Sequence, residues 1–574
     1  LRLGVVMYSI VIKNGKLVDG AGNPWFQANV AVEGDKIVKI SRREITGGAR
    51  TIDAKGLVVA PGFIDSHTHS DSSVLEHNIG MNFLTQGVTS VVTGECGNSL
   101  YPLTKEAQRR TQERLEVTAE DPSKVVVDWL TLEDWRQKLE KKGIGLNHIP
   151  LVGHKSIRSL VMSREKLRTL SMPTSEEMEA MRMLLRGAME DGAFGVSLGL
   201  SANDIYPEEC IEFLKVVKEY GGVFHNHTRC LLYTLRDSVR ETIMIAEKSG
   251  VPGIVSHLYG RKYEGWGKPF EAVRLIQQSR DRGVEVVCDV YPWPFAAIAN
   301  ALSLFIPGGA YDERVHGRVA KGLTLEKMVK DLKESTSWED MKKELMDSWE
   351  AENAENERRR KLLWEKSGID APPTRPVEMT PVIAYSKTHP ELMGLSFREA
   401  AEAFGIDDWL AALRKVIIDD EGFTYTGTTM TNEEDRKQVI SQPWTMFESD
   451  SGMMDRCPPQ PMLKPVHPRG SACTAMILGK YVRELKLMRL EEAVRKMTSL
   501  TAQFHNIKDR GLIREGMKAD ITIFDPETIQ HNSTYEEPGK HATGVSYVIV
   551  NGQIEIDEGR YTGKLAGRVL RLEG

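Results

Sequence analysis

The chain has 574 residues, 41% apolar and 27% charged, with a formal net charge of −6. This composition excludes a fibrous or disordered protein, calls for several domains or one large barrel with additions, and argues against nucleic acid as the main partner. No run of about eighteen apolar residues and no signal segment is visible, so a cytoplasmic protein without membrane contact is expected. The six cysteines, Cys96, Cys210, Cys230, Cys288, Cys457 and Cys473, are scattered without a CxxC pair and read as reduced.

The first sixty residues carry short strand-like runs, "SIVIKNG", "ANVAVEGDKIVKI" and "GLVVAPGFID", and the same texture returns in "ADITIFDP" and "VSYVIVNGQIEIDEG". The Asn14-Gly15 and Asn551-Gly552 dipeptides predict hairpin turns. One sheet built from both termini, a small β-sandwich over 7–60 plus 508–574, is therefore expected. Between the ends, eight apolar runs alternate with amphipathic stretches: 58–67, 87–94, 148–153, 192–200, 221–228, 252–257, 284–292 and 444–450. Such alternation predicts a (β/α)8 TIM-type barrel over 61–507. One intervening helix has its signals in place: Thr174 with Glu177 as capping box, an apolar stripe from Met178 to Ala188, and Gly192 as its stop. Residues 308–440 are too long for a barrel connection; the charged "SWEAENAENERRRKLLWEKSG" predicts a helix and the Pro-rich "DAPPTRP" follows, so a helical insertion, solvated or acting as a lid, precedes the last strand.

His67 and His69 stand at i and i+2 after an apolar run, which turns both side chains to one face of a strand. His227, His257 and Asp450 close three other predicted strands, where a barrel gathers its active site. Together with the Cys96 thiol they offer imidazole, thiolate and carboxylate donors, a mixture that favours Zn²⁺ over Mg²⁺ or Ca²⁺. His225 shares a face with His227; His227 is preferred because it stands nearer the mouth. Arg469 in "VHPRG" is a candidate for pairing a substrate carboxylate, and Tyr291 at the end of the seventh strand for hydrogen-bonding substrate.

The stretches "GFIDSHTH", "QGVTSVVTGECGNS", "AMEDGAFGVSLGL", "NHTR", "VSH", "DVYPW", "ESD", "HPRG" and "DRGLIREGMKADITIFDP" follow in the order of the amidohydrolase superfamily. Over essentially its whole length the chain most resembles the N-acyl-D-amino-acid deacylase (D-aminoacylase) branch, marked by the cysteine of "GECGNS" and by "HPRG". The resemblance implies that Cys96, His227 and His257 hold one tight zinc and that His67, His69 and Asp450 face a second, weaker position. It implies the cysteine in place of the modified lysine that bridges two metals in many relatives. Asp450 would then move the proton between water and the departing nitrogen. The resemblance also implies Arg469 and Tyr291 as substrate contacts. Where the deacylases carry a substrate-facing lysine, this chain has Tyr259, with Arg261 or Lys262 as substitutes a few residues on. Tyr206 matches another family substrate tyrosine poorly. The implied activity is zinc-dependent amide hydrolysis releasing a carboxylate and a D-amino acid from N-acyl-D-amino acids or close analogues, small-molecule amides; the alternative is a cyclic-amide or hydantoin hydrolase, or a heterocycle deaminase.

Overall fold

A computed structural model describes residues 7–573 except 170, 201–204, 232–233, 296–297, 306–323, 368–380, 428–429, 458–459 and 463–464. Eight parallel strands form the centre: Phe63–Asp65, Val88–Thr93, Asn147–Pro150 continued by Val152–Gly153, Gly195–Gly199, Val223–His227, Gly253–Ser256, Val286–Val290 and Thr445–Phe447. Each pairs with the next in sequence order. The ring closes between first and last, where Ser66 N donates to Phe447 O at 3.2 Å, His69 N to Ser451 O at 2.9 Å and Asp450 N to His67 O at 3.0 Å. Nearly every strand residue is buried on both faces, which is why these runs read as continuous apolar stretches rather than as alternation.

Helices such as Ser175–Glu190, Pro207–Glu219, Leu235–Ser249 and Lys268–Asp281 cover the strands. The first of these begins on the complete Thr174/Glu177 capping box and buries Met178, Met181, Leu185 and Ala188. The run at 58–67 is two strands: Val58–Pro61 pairs with Ile521–Phe524 outside the barrel, and only Phe63–Asp65 enters it.

Segments from both ends build one nine-stranded sheet, Tyr8–Leu17, Phe26–Glu33, Lys36–Ser41, Gly48–Asp53 and Val58–Pro61 joining Ile521–Phe524, Val545–Val550, Gln553–Asp557 and Arg560–Tyr561. Asn551-Gly552 turns a hairpin, with both residues at positive φ. Asn14-Gly15 does not. The strand runs through it with a register shift between Ile12 and Gly15, so the left-handed Asn14 makes a bulge.

The long connection before the last strand is not purely helical. Beside the helix Ser335–Ser367 it holds an antiparallel sheet of Ile298–Asn300, Thr424–Gly427 and Val382–Ser386, with its own apolar core around Leu302, Leu332, Trp338, Leu413 and Ile417. "DAPPTRP" falls outside the described residues. Among the described residues no helix is long and apolar enough to cross a membrane.

Candidate metal centre

The strand ends deliver their side chains to one point in the barrel mouth. Cys96, just past the second strand, has its Sγ 3.1 Å from His227 Nδ1, 3.4 Å from His67 Nε2 and 3.5 Å from His257 Nε2. Beside this cluster, Asp450 Oδ1 lies 3.1 Å from His69 Nε2 and 3.9 Å from His67 Nε2. Cys96, His257 and Asp450 all take the left-handed backbone conformation, with φ of 54°, 45° and 45°. That region is costly for side chains with a Cβ, so three such residues converging here mark a site whose surroundings over-determine it. The 2.6 Å bond from His257 N to Asp289 Oδ1 is one of those constraints; the Asp65 carboxylate, which accepts from His67 N at 3.2 Å and Ser449 N at 3.1 Å, is another.

The electrostatics follow from this crowding. Burial alone would raise the Cys96 thiol, but charge on His227 and His67 and hydrogen bonds from His227 and His257 outweigh it, so the thiol is held well below its ordinary range. Asp450 behaves likewise: burial opposes ionisation, and Arg469 and His69 overcome it, keeping the carboxylate ionised.

The donors fit a metal ion. Tetrahedral zinc with one sulfur and imidazole nitrogens separates sulfur from nitrogen by about 3.5 Å, close to the three Cys96 distances. Two groups, Cys96–His227–His257 and His67–His257–Asp450, bring their ligand atoms within 4.8 Å of one another.

His225, two residues before His227, points below the centre instead: its Nδ1 is 2.7 Å from Glu95 and its Nε2 2.9 Å from His505 Nε2. His67 Nδ1 faces Glu95, Asp289 and Glu448 at 3.5, 3.8 and 3.9 Å, all fully buried. Burial and the neighbouring Asp289 charge push Glu448 well up from the usual carboxylate range. Sequence reasoning missed this layer. Glu95 adjoins Cys96, and Glu448 shares a strand face with Asp450, which were usable signals; His505 on the helix Ser499–Phe504's C-terminal edge had none.

The substrate-facing candidates form one wall. The Arg469 guanidinium lies 4.8 Å over the Tyr291 ring and 2.9 Å from Asp450 Oδ2. The Tyr291 and Tyr259 rings pack 5.3 Å apart at a tilt of 52°, and Arg261 acts on the Tyr259 hydroxyl. Lys262 is turned elsewhere, pushed down to about 8 by burial and acted on by Glu264 and Glu399. Tyr206 is also buried, beside Arg158 and Arg229, away from this wall.

The comparisons agree with the geometry. The model of the amidohydrolase family matches residues 50–202 and 448–555, the two segments that bring His67, His69, Cys96 and Asp450 together. The chain is 29% identical over 570 residues to a D-aminoacylase of Alcaligenes xylosoxydans xylosoxydans, covering 98% of this chain and 97% of that one. Over those segments and along that relative the chain is similar to the amidohydrolase family. A second relative from the same organism is an N-acyl-D-aspartate deacylase, 29% identical over 565 residues with 98% and 94% coverage. Among solved structures, the N-acyl-D-glutamate deacylase of Bordetella bronchiseptica, complexed with zinc and a phosphonate mimic of the tetrahedral intermediate, superposes with a TM-score of 0.71 at 26% identity, covering 98% of this chain and all of that one.

Proposed function

We propose that this chain is a zinc-dependent amide hydrolase that splits N-acyl-D-amino acids into a carboxylate and a D-amino acid. The observation that carries the reading is the Cys96 thiolate within 3.1–3.5 Å of three imidazole nitrogens, with the Asp450 carboxylate alongside. Cys96, His227 and His257 hold the tight ion; His67, His69 and Asp450 face a weaker second position. Zinc, when bound, supplies Lewis acidity toward the scissile carbonyl and makes water acidic enough to ionise near neutral pH.

The chain's own groups do the rest. Asp450, ionised, accepts a proton at Oδ1 from the attacking water and returns it to the departing nitrogen, which leaves poorly as an anion. His69 orients that oxygen from 3.1 Å. Arg469 holds the other oxygen and, having five donors in a planar fork, can hold a substrate α-carboxylate at the same time. Tyr291 and Tyr259 line the same wall, and Arg261 returns positive charge to the place where the deacylases carry lysine. That charge weighs against the cyclic-amide alternative.

We also read 7–60 with 508–574 as a β-sandwich domain folded around Ile12, Val30, Val32 and Ile521, apart from the catalytic 61–507, which carries 308–440 as an insertion. The functional test is a panel of N-acetyl-D-amino acids and their L forms with zinc-loaded protein. Amine release from D members is expected; no release from any of them overturns the proposal.

A further inference from the structure

We infer that Lys155 is a specificity-determining residue that selects acyl groups carrying a terminal carboxylate, such as succinyl or glutaryl. The inference rests on the hydrolase reading above and names the substrate class of that site.

Gly199 is the last residue of the fourth strand. It pairs in parallel register with His227, so a side chain there would point, as His227 does, into the barrel at the level of the metal ligands. The space is taken. A Cβ built on Gly199 would meet Lys155 Cε at 2.5 Å, Lys155 Nζ at 2.7 Å and the Cys96 carbonyl. One on Gly97 would meet Lys155 Cε at 2.8 Å. Two glycines thus leave a channel along which the lysine runs to the wall beside Cys96, and its ammonium ends where a side chain on Gly199, the strand partner of His227, would begin.

Local structure gives the cation no reason to be there. Lys155 occupies the first turn of the helix His154–Val161, where the helix dipole disfavours positive charge, and that turn has no acidic residue. Among the described residues no carboxylate is within ion-pair distance of it.

Position decides which anion it meets. Arg469, Tyr291 and Tyr259 follow the sixth to eighth strands and take the α-carboxylate, on the nitrogen side of the scissile bond. Lys155, Gly97 and Gly199 belong to the second to fourth strands, across the centre. With the amide over the metal ligands, what extends across is the acyl chain. Hydrolysis is unchanged: water adds to the carbonyl, the C–N bond breaks, and a dicarboxylate leaves with the D-amino acid.

Two measurements test this. With zinc-loaded enzyme, kcat/KM for N-succinyl-D-leucine should exceed that for N-acetyl-D-leucine by about ten-fold or more, a charge-assisted contact's worth. Lys155→Met should bring the ratio near one and Lys155→Arg should keep it. A preference for N-acetyl-D-glutamate instead would place the anion on the amino-acid side chain and overturn the inference, as would a succinyl preference that survives Lys155→Met. Independently of turnover, calorimetry should show succinate binding about ten-fold more tightly than acetate to the wild type, and equally with acetate to Lys155→Met. Equal binding to both proteins overturns the inference even if the deacylase reading stands, whereas absent turnover with Lys155-dependent succinate binding would sink only the deacylase reading.

Discussion

At the bottom of the barrel, Asn147 opens the third strand and joins a closed polar ring: its Nδ2 donates to Asp520 at 3.2 Å, Asn551 Nδ2 donates to it at 2.8 Å, Asn551 N donates to Asp520 at 2.7 Å, and Arg510 donates to both Asp520 and Asn551. At the mouth, His67, Glu95, Asp289 and Glu448 are as deeply buried, yet His67 Nδ1, both Glu95 oxygens and both Glu448 oxygens lack well-formed hydrogen bonds. One end ties Asn147, Asp520, Asn551 and Arg510 to one another and welds the terminal sheet to the barrel. The other holds its groups around a common point, at a cost in backbone conformation. Buried polar networks can serve uniqueness of fold or chemistry, and here the two uses sit at opposite ends of one set of strands.

The largest test of that contrast is Cys96→Ala. It removes the donor shared by three imidazoles, and kcat/KM for the best N-acyl-D-amino acid should fall by about 10³-fold or more, some 4 kcal/mol of transition-state stabilisation. Bound zinc should fall with it while the thermal midpoint moves little; retained activity without zinc would break the assignment of the mouth to metal chemistry. Asp520→Ala is the mirror image. It strands Arg510 in the interior, so stability should drop by about 3–5 kcal/mol in denaturant titration, with zinc affinity of the folded protein unchanged. Glu95→Gln lies between, since Glu95 reaches the proposed ligand His67 at 3.5 Å and faces His225 at 2.7 Å. Zinc affinity should weaken about 10–100-fold, as for other groups that orient a ligand, with stability nearly constant. An effect on stability alone would make Glu95 a member of the bottom's class.

The contrast also explains what the sequence could reveal. The strands were legible because parallel strands buried on both faces keep uninterrupted apolar runs, and the convergence of His67, His69, Cys96, His227, His257 and Asp450 was legible because barrel strands end at one mouth. The layer below was not, because Glu95, Asp289, Glu448 and His505 meet only through packing between elements far apart in the chain. Asn14-Gly15 misled for a local reason: a bulge and a hairpin turn both need a left-handed residue, and only the partner strand, Phe26–Glu33, decides between them. The strands Ile298–Asn300 and Thr424–Gly427 are three and four residues long, shorter than any period can announce. Lys155 was silent because its meaning depends on the empty place at Gly199.

Glu555 gives the finest discrimination, because it is a buried carboxyl at the bottom that no ring neutralises. Its Oε1 accepts from Ala566 N at 2.7 Å, the side chain is fully buried, and burial pushes its pKa from 4.5 up to about 8. The folded protein therefore keeps a proton that the unfolded chain releases. For an acid raised in this way, the stability it contributes is complete below about pH 4.5 and declines as pH rises through about 8. Between pH 7 and pH 9 the wild type should lose about 1 kcal/mol from this group. Glu555→Gln preserves the acceptor for Ala566 N and has no proton to lose, so its stability should not follow that decline. Denaturation midpoints of the two proteins should diverge in the variant's favour as pH is raised. Parallel curves would mean that Glu555 is ionised in the fold, and that the bottom of the barrel tolerates an unpaired charge as the mouth does.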